Sequence, residues 1–416
     1  MRAAGERAGE DQRAELLAAA WRVAARDGLS ACTYRGVAAE AGTSPTPFIR
    51  HFPTREALLA ALFEEMGDRF EAARGEEVVT RDPLEAVVGE GAQILSGRQA
   101  MRDCNRVAFD FSFFALRDPK MRRRLKSRDA ELGARWLGHI EDARSRGTVR
   151  ADRPAAEIAD QLGSLLSGLV FANLIYPERL PAAHVRRLWE DGAMRLVDPS
   201  VSPGVHQRLV IPEHPPRPSA LPQESRASRR DELLDVAFRV TARDGLSGLS
   251  FRRLAEEAGT STTPFTYAFG SRQRLLAAMV RATWEADPDL KAMASRIESP
   301  VDRFFAEWAG QLSDDPRQVD LERVYYELHH QALTNPALAT LMREGDQYGF
   351  AMALPLIEHG RDQGLARESI PASDLLDELL ALFDGIGLRR LLLAEKRPAG
   401  YRIGLWEDGG RRILAP

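Results

Sequence analysis

The chain is written twice, and that repeat limits its architecture more than any other feature. Shifted by 217 residues, the sequence falls onto itself. Arg26-Asp27-Gly28-Leu29-Ser30 returns as Arg243-Asp244-Gly245-Leu246-Ser247, and Glu40-Ala41-Gly42-Thr43-Ser44 returns as Glu257-Ala258-Gly259-Thr260-Ser261. The shift still holds far downstream, where Leu188-Trp189-Glu190-Asp191-Gly192 matches Leu405-Trp406-Glu407-Asp408-Gly409. About 29 of 50 positions agree between residues 13–62 and 230–279. A period this long means two tandem domains and not a solenoid, whose repeats are far shorter.

The 416 residues suffice for two units of about 190 residues, each able to bury a core. With 44% apolar residues, 28% charged residues and a net charge of −4, the chain reads as a soluble globular protein. Mild overall acidity leaves nucleic-acid binding open, because a local basic face decides that. Cys32 and Cys104 are matched by Leu249 and Leu321 in the second half, so both read as apolar fillers in a reducing compartment. The opening, residues 1–12, is polar and charged, so no signal peptide is expected there, and no apolar run approaches a membrane span. No Ser-His-Asp set, glycine-rich phosphate loop or CxxC motif appears, so neither catalysis nor a cofactor is expected.

Seven prolines punctuate residues 199–228: Pro199, Pro203, Pro212, Pro215, Pro216, Pro218 and Pro222. Proline fixes φ and removes a donor, so this stretch reads as an extended linker. Nearly everything else has helical periodicity, and no convincing strand pattern occurs. The predicted fold is all-α: a tail (1–12), a small module (13–66), a helical bundle (67–198), the linker, then a second module (229–283) and a second bundle (284–416). Helices are expected over 83–96, 101–116, 121–146, 155–175 and 182–197, and again over 300–312, 320–333, 337–363, 372–394 and 401–414.

Each small module carries a helix–turn–helix pattern. Thr33 is a good N-cap for a helix whose apolar stripe is Tyr34, Val37, Ala38 and Ala41, and Gly42 permits the tight turn. Ser250, Phe251, Leu254, Ala255, Ala258 and Gly259 repeat the plan. The second helix contains Pro47, or Pro264 in the copy, which fits only its first turn. Thr46 and Thr263 are one choice of N-cap, and a start at Ser44 and Ser261 is the other. Phe48, Phe52, Phe265 and Phe269 read as core.

The run Ala41-Gly42-Thr43-Ser44, then Phe48, then His51-Phe52-Pro53-Thr54-Arg55-Glu56-Ala57-Leu58-Leu59 resembles the DNA-binding module of the tetracycline-repressor (TetR) family. The copy, Ala258-Gly259-Thr260-Ser261 through Phe265 and Phe269 to Arg272 and Leu275-Leu276, is similar. Two departures stand out. Ile49 and Thr266 occupy the place of the family's usual recognition-helix tyrosine, with Tyr267 one residue later, and Arg55 and Arg272 replace the usual lysine. Arginine keeps the charge and grips phosphate bidentately. The resemblance covers about 50 residues per half; the bundles resemble the family's effector-binding and dimerising domains in length and helicity.

The resemblance implies a cytoplasmic, ligand-responsive repressor of transcription that binds double-stranded DNA, with one chain supplying both halves of the usual dimer. The DNA-contact candidates are Thr33, Arg35, Ser44, Pro45, Thr46, Pro47, Ile49, Arg50, His51 and Arg55, with Ser250, Arg252, Ser261, Thr262, Thr263, Pro264, Thr266, Tyr267 and Arg272 in the copy. A solvated bundle surface is the competing reading of each. The two recognition helices differ, so they should read different bases. Candidate effector contacts are Phe109, Phe113 and Phe114 in a greasy first bundle, and Tyr326, His329 and His330 in a polar second one. Ordinary core packing competes there too. Adjacent His329 and His330 lack the i, i+4 spacing of a metal pair, so no metal site is expected. Small residues Gly163, Ser164, Ser167, Gly168, Gly385 and Gly387 suit close helix approach. The resemblance casts these helices, with the two Leu-Trp-Glu-Asp-Gly segments, as the pairing surface. Recognition helices must lie about 34–36 Å apart, and a 30-residue linker spans about 30 Å as a coil and about 100 Å at most. Further pairing of whole chains stays open. The alternative function is a small-molecule binding or adaptor protein in which one or both modules no longer bind DNA.

Overall fold

A computed structural model describes residues 2–75, 80–201, 229–284, 295–393 and 397–416, with side chains from residue 11 onward. Among the described residues there are helices and no strands. The chain divides into two compact units: residues 1–139 with 170–187, and residues 140–169 with 188–416. The linker expected over 199–228 lies almost wholly outside the described residues.

Among the described residues the first half of the sequence forms nine helices: α1 (Arg2–Asp27), α2 (Tyr34–Glu40), α3 (Pro45–His51), α4 (Arg55–Arg74), α5 (Pro83–Ile94), α6 (Gln99–Ala115), α7 (Pro119–Ser145), α8 (Ala155–Ile175) and α9 (Ala182–Val197). Helix α1 begins at Arg2, so the tail expected over 1–12 is helical from its second residue. Alanine, glutamate and arginine dominate that stretch, and all three favour a helix. Gly28, at φ +86°, ends α1 by turning into a single 3-10 turn. Thr33 caps α2 as expected, accepting from the Gly36 N–H at 3.1 Å. Gly42, at φ +64°, makes the turn into α3 that a side chain would strain.

In the first unit α1–α4 wrap a core of Leu16, Trp21, Val37, Phe48, Phe52, Leu58 and Phe63 that runs on into Met101, Val107 and Phe111 of α6. Phe48 and Phe52 are buried, as the sequence suggested. Each such side chain contributes about 1.5–3 kcal/mol. Cys32 and Cys104 are free and buried within this core, and burial pushes the Cys32 thiol up to about 12.

The second half repeats the order: α10 (Arg229–Asp244), α11 (Phe251–Glu257), α12 (Thr263–Phe269), α13 (Arg272–Trp284), α14 (Pro300–Ala309), α15 (Pro316–Ala332), α16 (Pro336–Asp362), α17 (Ala372–Leu393) and α18 (Tyr401–Leu414). Prolines open α5, α7, α14, α15 and α16, where a missing N–H costs nothing. In the second unit Leu233, Val240, Phe265, Phe269 and Leu275 share one core with Val324, Leu328 and Met342.

That unit also gathers α8 up to Leu169 and α9 from Leu188, so helices from both sequence halves pack together in it. A Cβ on Gly168 would lie 1.7 Å from the Ala381 carbonyl oxygen, and one on Gly385 would lie 1.7 Å from that of Ser164. The two contacts exchange under the 217-residue shift. Only glycine allows backbones this close. Helix α8 is long and apolar enough by composition to cross a membrane, yet its glycine face is packed inside this unit.

Around the glycines lies a buried polar set. Arg150 donates to Asp408 at 2.7 Å and to Gln161 at 2.6 Å, and Gln161 donates to Asp408 at 2.9 Å. Arg195 pairs with Glu378, both nearly free of solvent. Glu378 is the repeat partner of Gln161, so the polar set is not symmetric although the glycine contacts are. The Leu-Trp-Glu-Asp-Gly segment of α18 faces both ways. Trp406 stacks with Phe304, Phe305 and Phe383 of its own half, while Asp408 and Gly409 meet α8.

Candidate nucleic-acid interface

The start of each recognition helix decides which groups it can present. Helix α3 starts one residue after Ser44, and α12 starts one residue after Thr262. Thr46 and Thr263 are therefore not the N-caps; both already lie in the first turn, ahead of Pro47 and Pro264. In α3 the first and third positions are Pro45 and Pro47, so two of its first-turn N–H groups are missing. Backbone donation to an anion is weakened there, which leaves side chains as the groups this helix end can present.

Those side chains point into solvent. Ser44, Pro45, Thr46, Ile49 and Arg50 are exposed, as are Ser261, Thr262, Thr263, Thr266 and Tyr267. Pro47, Pro264 and His51 are half-buried. Ile49 is 50% exposed and Tyr267 is 94% exposed. Such exposure of large apolar or aromatic side chains stabilises nothing in the fold. Arg35 and Arg50 are exposed and make no ion pair among the described residues, so their charge is available to an anion. Arg252, also exposed, is only loosely paired, with Glu256 at 4.0 Å. Thr33 and Ser250 use their oxygens as caps and keep a hydroxyl proton to donate. Thr266 bonds back to the Thr262 carbonyl at 3.1 Å, and His51 is held against Gln12 at 3.1 Å.

Arg55 and Arg272 are engaged within the heads. Arg55 donates to the Leu29 carbonyl at 3.1 Å, and Arg272 donates to those of Leu246 and Leu249 at 2.9 and 3.0 Å. Both thus tie the start of the fourth helix of a head to the preceding 3-10 turn. A neutral carbonyl does not cancel the guanidinium charge, so a phosphate role stays compatible with this tether.

The heads are braced by two further repeat pairs. Arg22 and Arg26 clamp Glu40 and hold its carboxyl below the ordinary value, and Arg243 does the same to Glu257. Asp110 of α6 accepts from the Leu29 N–H at 2.8 Å, and Glu327 of α15 accepts from that of Leu246 at 3.2 Å. These carboxylates latch each head to a bundle helix. Sequence reading passed over them, although both stand at the same place in two otherwise divergent aromatic stretches.

The candidate effector residues sit beside those latches. Phe109 lies against Phe113 and Phe171, ring centroids 5.0 and 5.7 Å apart, and Phe114 packs on the head core. In the second half Tyr326 and His329 are buried and His330 is half-buried. His329 Nδ1 lies 3.0 Å from the Tyr325 carbonyl and donates to it. Asp346 stands 3.1 Å from Nε2. Burial drives both the same way: the Asp346 carboxyl well above its usual range, and His329 down to about 4. Tyr326 donates to Asp384, whose carboxyl burial pushes up to about 7. Asp384 has no ion pair among the described residues. No group of three His, Cys, Asp or Glu placed to hold a metal is found among them either.

The comparisons with known proteins follow this layout. The family model described as bacterial regulatory proteins, tetR family, matches residues 16–62 and 233–279, which are the two heads. The model described as BetI-type transcriptional repressor, C-terminal, matches residues 80–198 and 300–402. The HTH-type transcriptional regulator BetI of Burkholderia mallei is 27% identical over 202 residues, covering 46% of this chain and 96% of that protein. The HTH-type nicotine-responsive transcriptional repressor HdnoR of Paenarthrobacter nicotinovorans is 28% identical over 197 residues, covering 39% of this chain and 98% of its own. A solved structure of a transcriptional regulator from Saccharomonospora viridis in complex with choline is 24% identical, with a TM-score of 0.42, covering 45% of this chain and 98% of its own. Each relative thus spans a single half. With two head matches and two bundle matches in tandem, the chain belongs to the TetR family of bacterial transcriptional regulators, with two family units in one polypeptide.

Proposed function

We infer that the protein is a ligand-responsive, DNA-binding repressor whose two halves pair with each other and place two heads on one operator. The observation that carries this reading is the reciprocal glycine contact, Gly168 on Ala381 and Gly385 on Ser164. A contact that exchanges its two members is the signature of two-fold pairing, which two identical subunits normally supply. The unpaired charges of Arg35 and Arg50 support contact with phosphates and bases. Exposed Ile49 and Arg50 on one head, against Thr266 and Tyr267 on the other, support two different half-sites. Selection from random DNA at fixed salt should recover an imperfect palindrome with two unlike half-sites. Recovery of perfect palindromes would favour identical heads from two chains. Absence of salt-dependent binding would leave the adaptor function instead.

The second bundle is the sensor in this reading. Phe109, Phe113 and Phe171 are buried in the first, whereas the second holds buried acids among tyrosines. Asp384, with Tyr325 and Tyr326 near it, suits an organic cation, which gains from both a carboxylate and aromatic faces. One relative is named as nicotine-responsive. The signal has a short route: Tyr326 and His329 share α15 with Glu327, the latch to the second head.

The charge state of Asp384 gives this a pH test. The groups around it are Tyr326, Tyr325, Glu322 held by Arg390, and Asp346 against His329. A folded-state value of about 7 means the acid is protonated below that pH. A cation needs the carboxylate, so binding must displace a proton at low pH and none at high pH. Calorimetric titration of tetramethylammonium into the full chain should show affinity rising about tenfold between pH 6 and pH 8, with proton release at pH 6. Asp384→Asn should weaken binding and remove the pH dependence. Equal affinity at both pH values would reject the cation.

A further inference from the structure

Two equivalent helices of the sequence halves differ sharply in charge. Between residues 120 and 128, at the start of α7, six of nine side chains are basic and none is acidic: Lys120, Arg122, Arg123, Arg124, Lys126 and Arg128. Under the 217-residue shift the matching stretch of α16, residues 337–345, holds one basic residue, Arg343, and one acid, Glu344. Lys120 corresponds to Ala337 and Arg123 to Thr340, so the repeat forms this helix without the charge. The charge also stands where the helix dipole disfavours it, because the N-terminal end of a helix favours acids over bases. The first turn of α7 contains no acid. Asp118, just before it, is spent as a cap and accepts from the Lys120 and Met121 N–H groups, both at 2.8 Å.

Internal contacts engage three of the six. Arg122 donates to the carbonyls of Ala115, at 3.1 Å, and Leu116. Arg124 pairs with Glu64 of α4 at 2.8 Å, and Arg128 lies over the Phe70 ring at 5.2 Å. Lys120, Arg123 and Lys126 make no ion pair among the described residues, and Lys120 and Arg123 are exposed.

The same contacts fasten the cluster to the first head. Met121 and Leu125 pack into the core that α1–α4 wrap. Arg124 meets Glu64 and Arg128 meets Phe70, so α7 runs alongside α4 in the same direction. The corner before α7 lies by the start of α4. There the Arg55 guanidinium is 5.9 Å from the Phe114 ring, and the Phe114 carbonyl accepts from the Asp118 N–H at 3.1 Å. Recognition helix α3 ends at His51 and α4 begins at Arg55, so the cluster adjoins the head at the end where α3 joins α4.

We propose that this cluster is a second DNA-contact surface, gripping the phosphate backbone beside the half-site of the first head. It rests on the reading of the heads as DNA-binding. Duplex DNA is the occupant that fits, because the cluster continues from a DNA-binding head and a duplex presents one negative charge about every 1.7 Å along its axis. Phosphate contacts position a protein without reading sequence. The first head therefore holds its half-site with more phosphate contacts than the second, whose equivalent surface is neutral.

The test is salt-dependent binding of the full chain to its selected operator, joined to phosphate-ethylation interference. The variant carries Lys120→Gln, Arg123→Gln and Lys126→Gln together. Its salt slope should fall by about two to three units, about one per lost contact, with affinity at least tenfold lower at about 0.1 M salt. Ethylated phosphates that disturb wild-type binding beside one half-site only should cease to disturb the variant. Glutamine removes charge that the helix dipole disfavours, so the variant should melt no lower than the wild type. An unchanged slope, with wild-type binding intact, overturns this proposal alone and leaves the heads as the whole interface. A reduced slope with the same interference pattern also overturns it, since the charges would then act only at a distance. A wild-type chain without salt-dependent binding would overturn the reading of the heads, and this proposal with it.

Discussion

Replacing Gly385 by alanine is expected to pull apart the contact on which the whole arrangement rests. The new Cβ would sit 1.7 Å from the Ser164 carbonyl oxygen, and the atom it meets is backbone. A flexible side chain could swing away, but a helix backbone cannot. The helices must separate by more than an ångström, which strips burial from Leu165, Leu382 and Leu405 alongside. Overpacking costs about 1–3 kcal/mol in an ordinary core and more where backbone is hit, so about 3 kcal/mol or more is expected. For a unit of this size that is roughly 6–12 °C in Tm. Gly168→Ala should do the same, because it meets Ala381 in the reciprocal geometry. Gly404→Ala in α18 is the control: nothing lies within 4 Å, and alanine favours the helix. Thermal melts of the three variants check this. A melt for Gly385→Ala matching that of Gly404→Ala would mean the helices do not approach so closely.

The second large effect is expected at the buried pair Arg195–Glu378. Removing one partner of such a pair costs about 3–5 kcal/mol, because the other charge is left without water or counter-ion. Arg195→Ala should show more of this at pH 8 than at pH 5, since neutral Glu378 escapes the penalty. Burial already pushes the Glu378 carboxyl up to about 7, against the pull of Arg195. A folded-state value above the ordinary carboxylate range means that the folded protein holds this proton more tightly than the unfolded chain. The stability from that protonation is complete at low pH and is lost as pH rises through about 7. Without Arg195 the value rises further, so at pH 5 Glu378 simply remains neutral. Melts of the wild type and Arg195→Ala at both pH values should therefore diverge with rising pH. Glu378→Gln should flatten the dependence, since an amide already serves at the repeat-equivalent Gln161. An Arg195→Ala loss of equal size at pH 5 and pH 8 would show that Glu378 does not titrate there.

How much of this was visible in the sequence depends on how local each determinant is. Helices α8, α9 and α18 were predicted to the residue, because apolar periodicity bounded by proline or glycine is a local signal. Thr33 as a cap and the buried phenylalanines of both heads were legible for the same reason. The start of α3 was not settled, since Ser44 and Thr46 are equally good caps and only tertiary packing of Phe48 chooses between them. The aromatic stretch on α6 showed its composition but not its faces: Phe111 turns into the head core, Phe114 lies against it, and Phe109 stacks on Phe171. The tether of Arg55 to Leu29 joins residues 26 apart, and the Gln161–Asp408 bond joins residues 247 apart. Neither spacing has a pattern to read. Only the repeat offered a clue, through the paired carboxylates Asp110 and Glu327 and the mismatch of Gln161 with Glu378.

The central claim is that one chain does what two subunits usually do. The most direct measurement is the mass of the protein–DNA complex on its selected operator, by native mass spectrometry or sedimentation. One chain per operator, with both half-sites protected in a footprint, is the expected result. Two chains per operator, each leaving one head off the DNA, would contradict it.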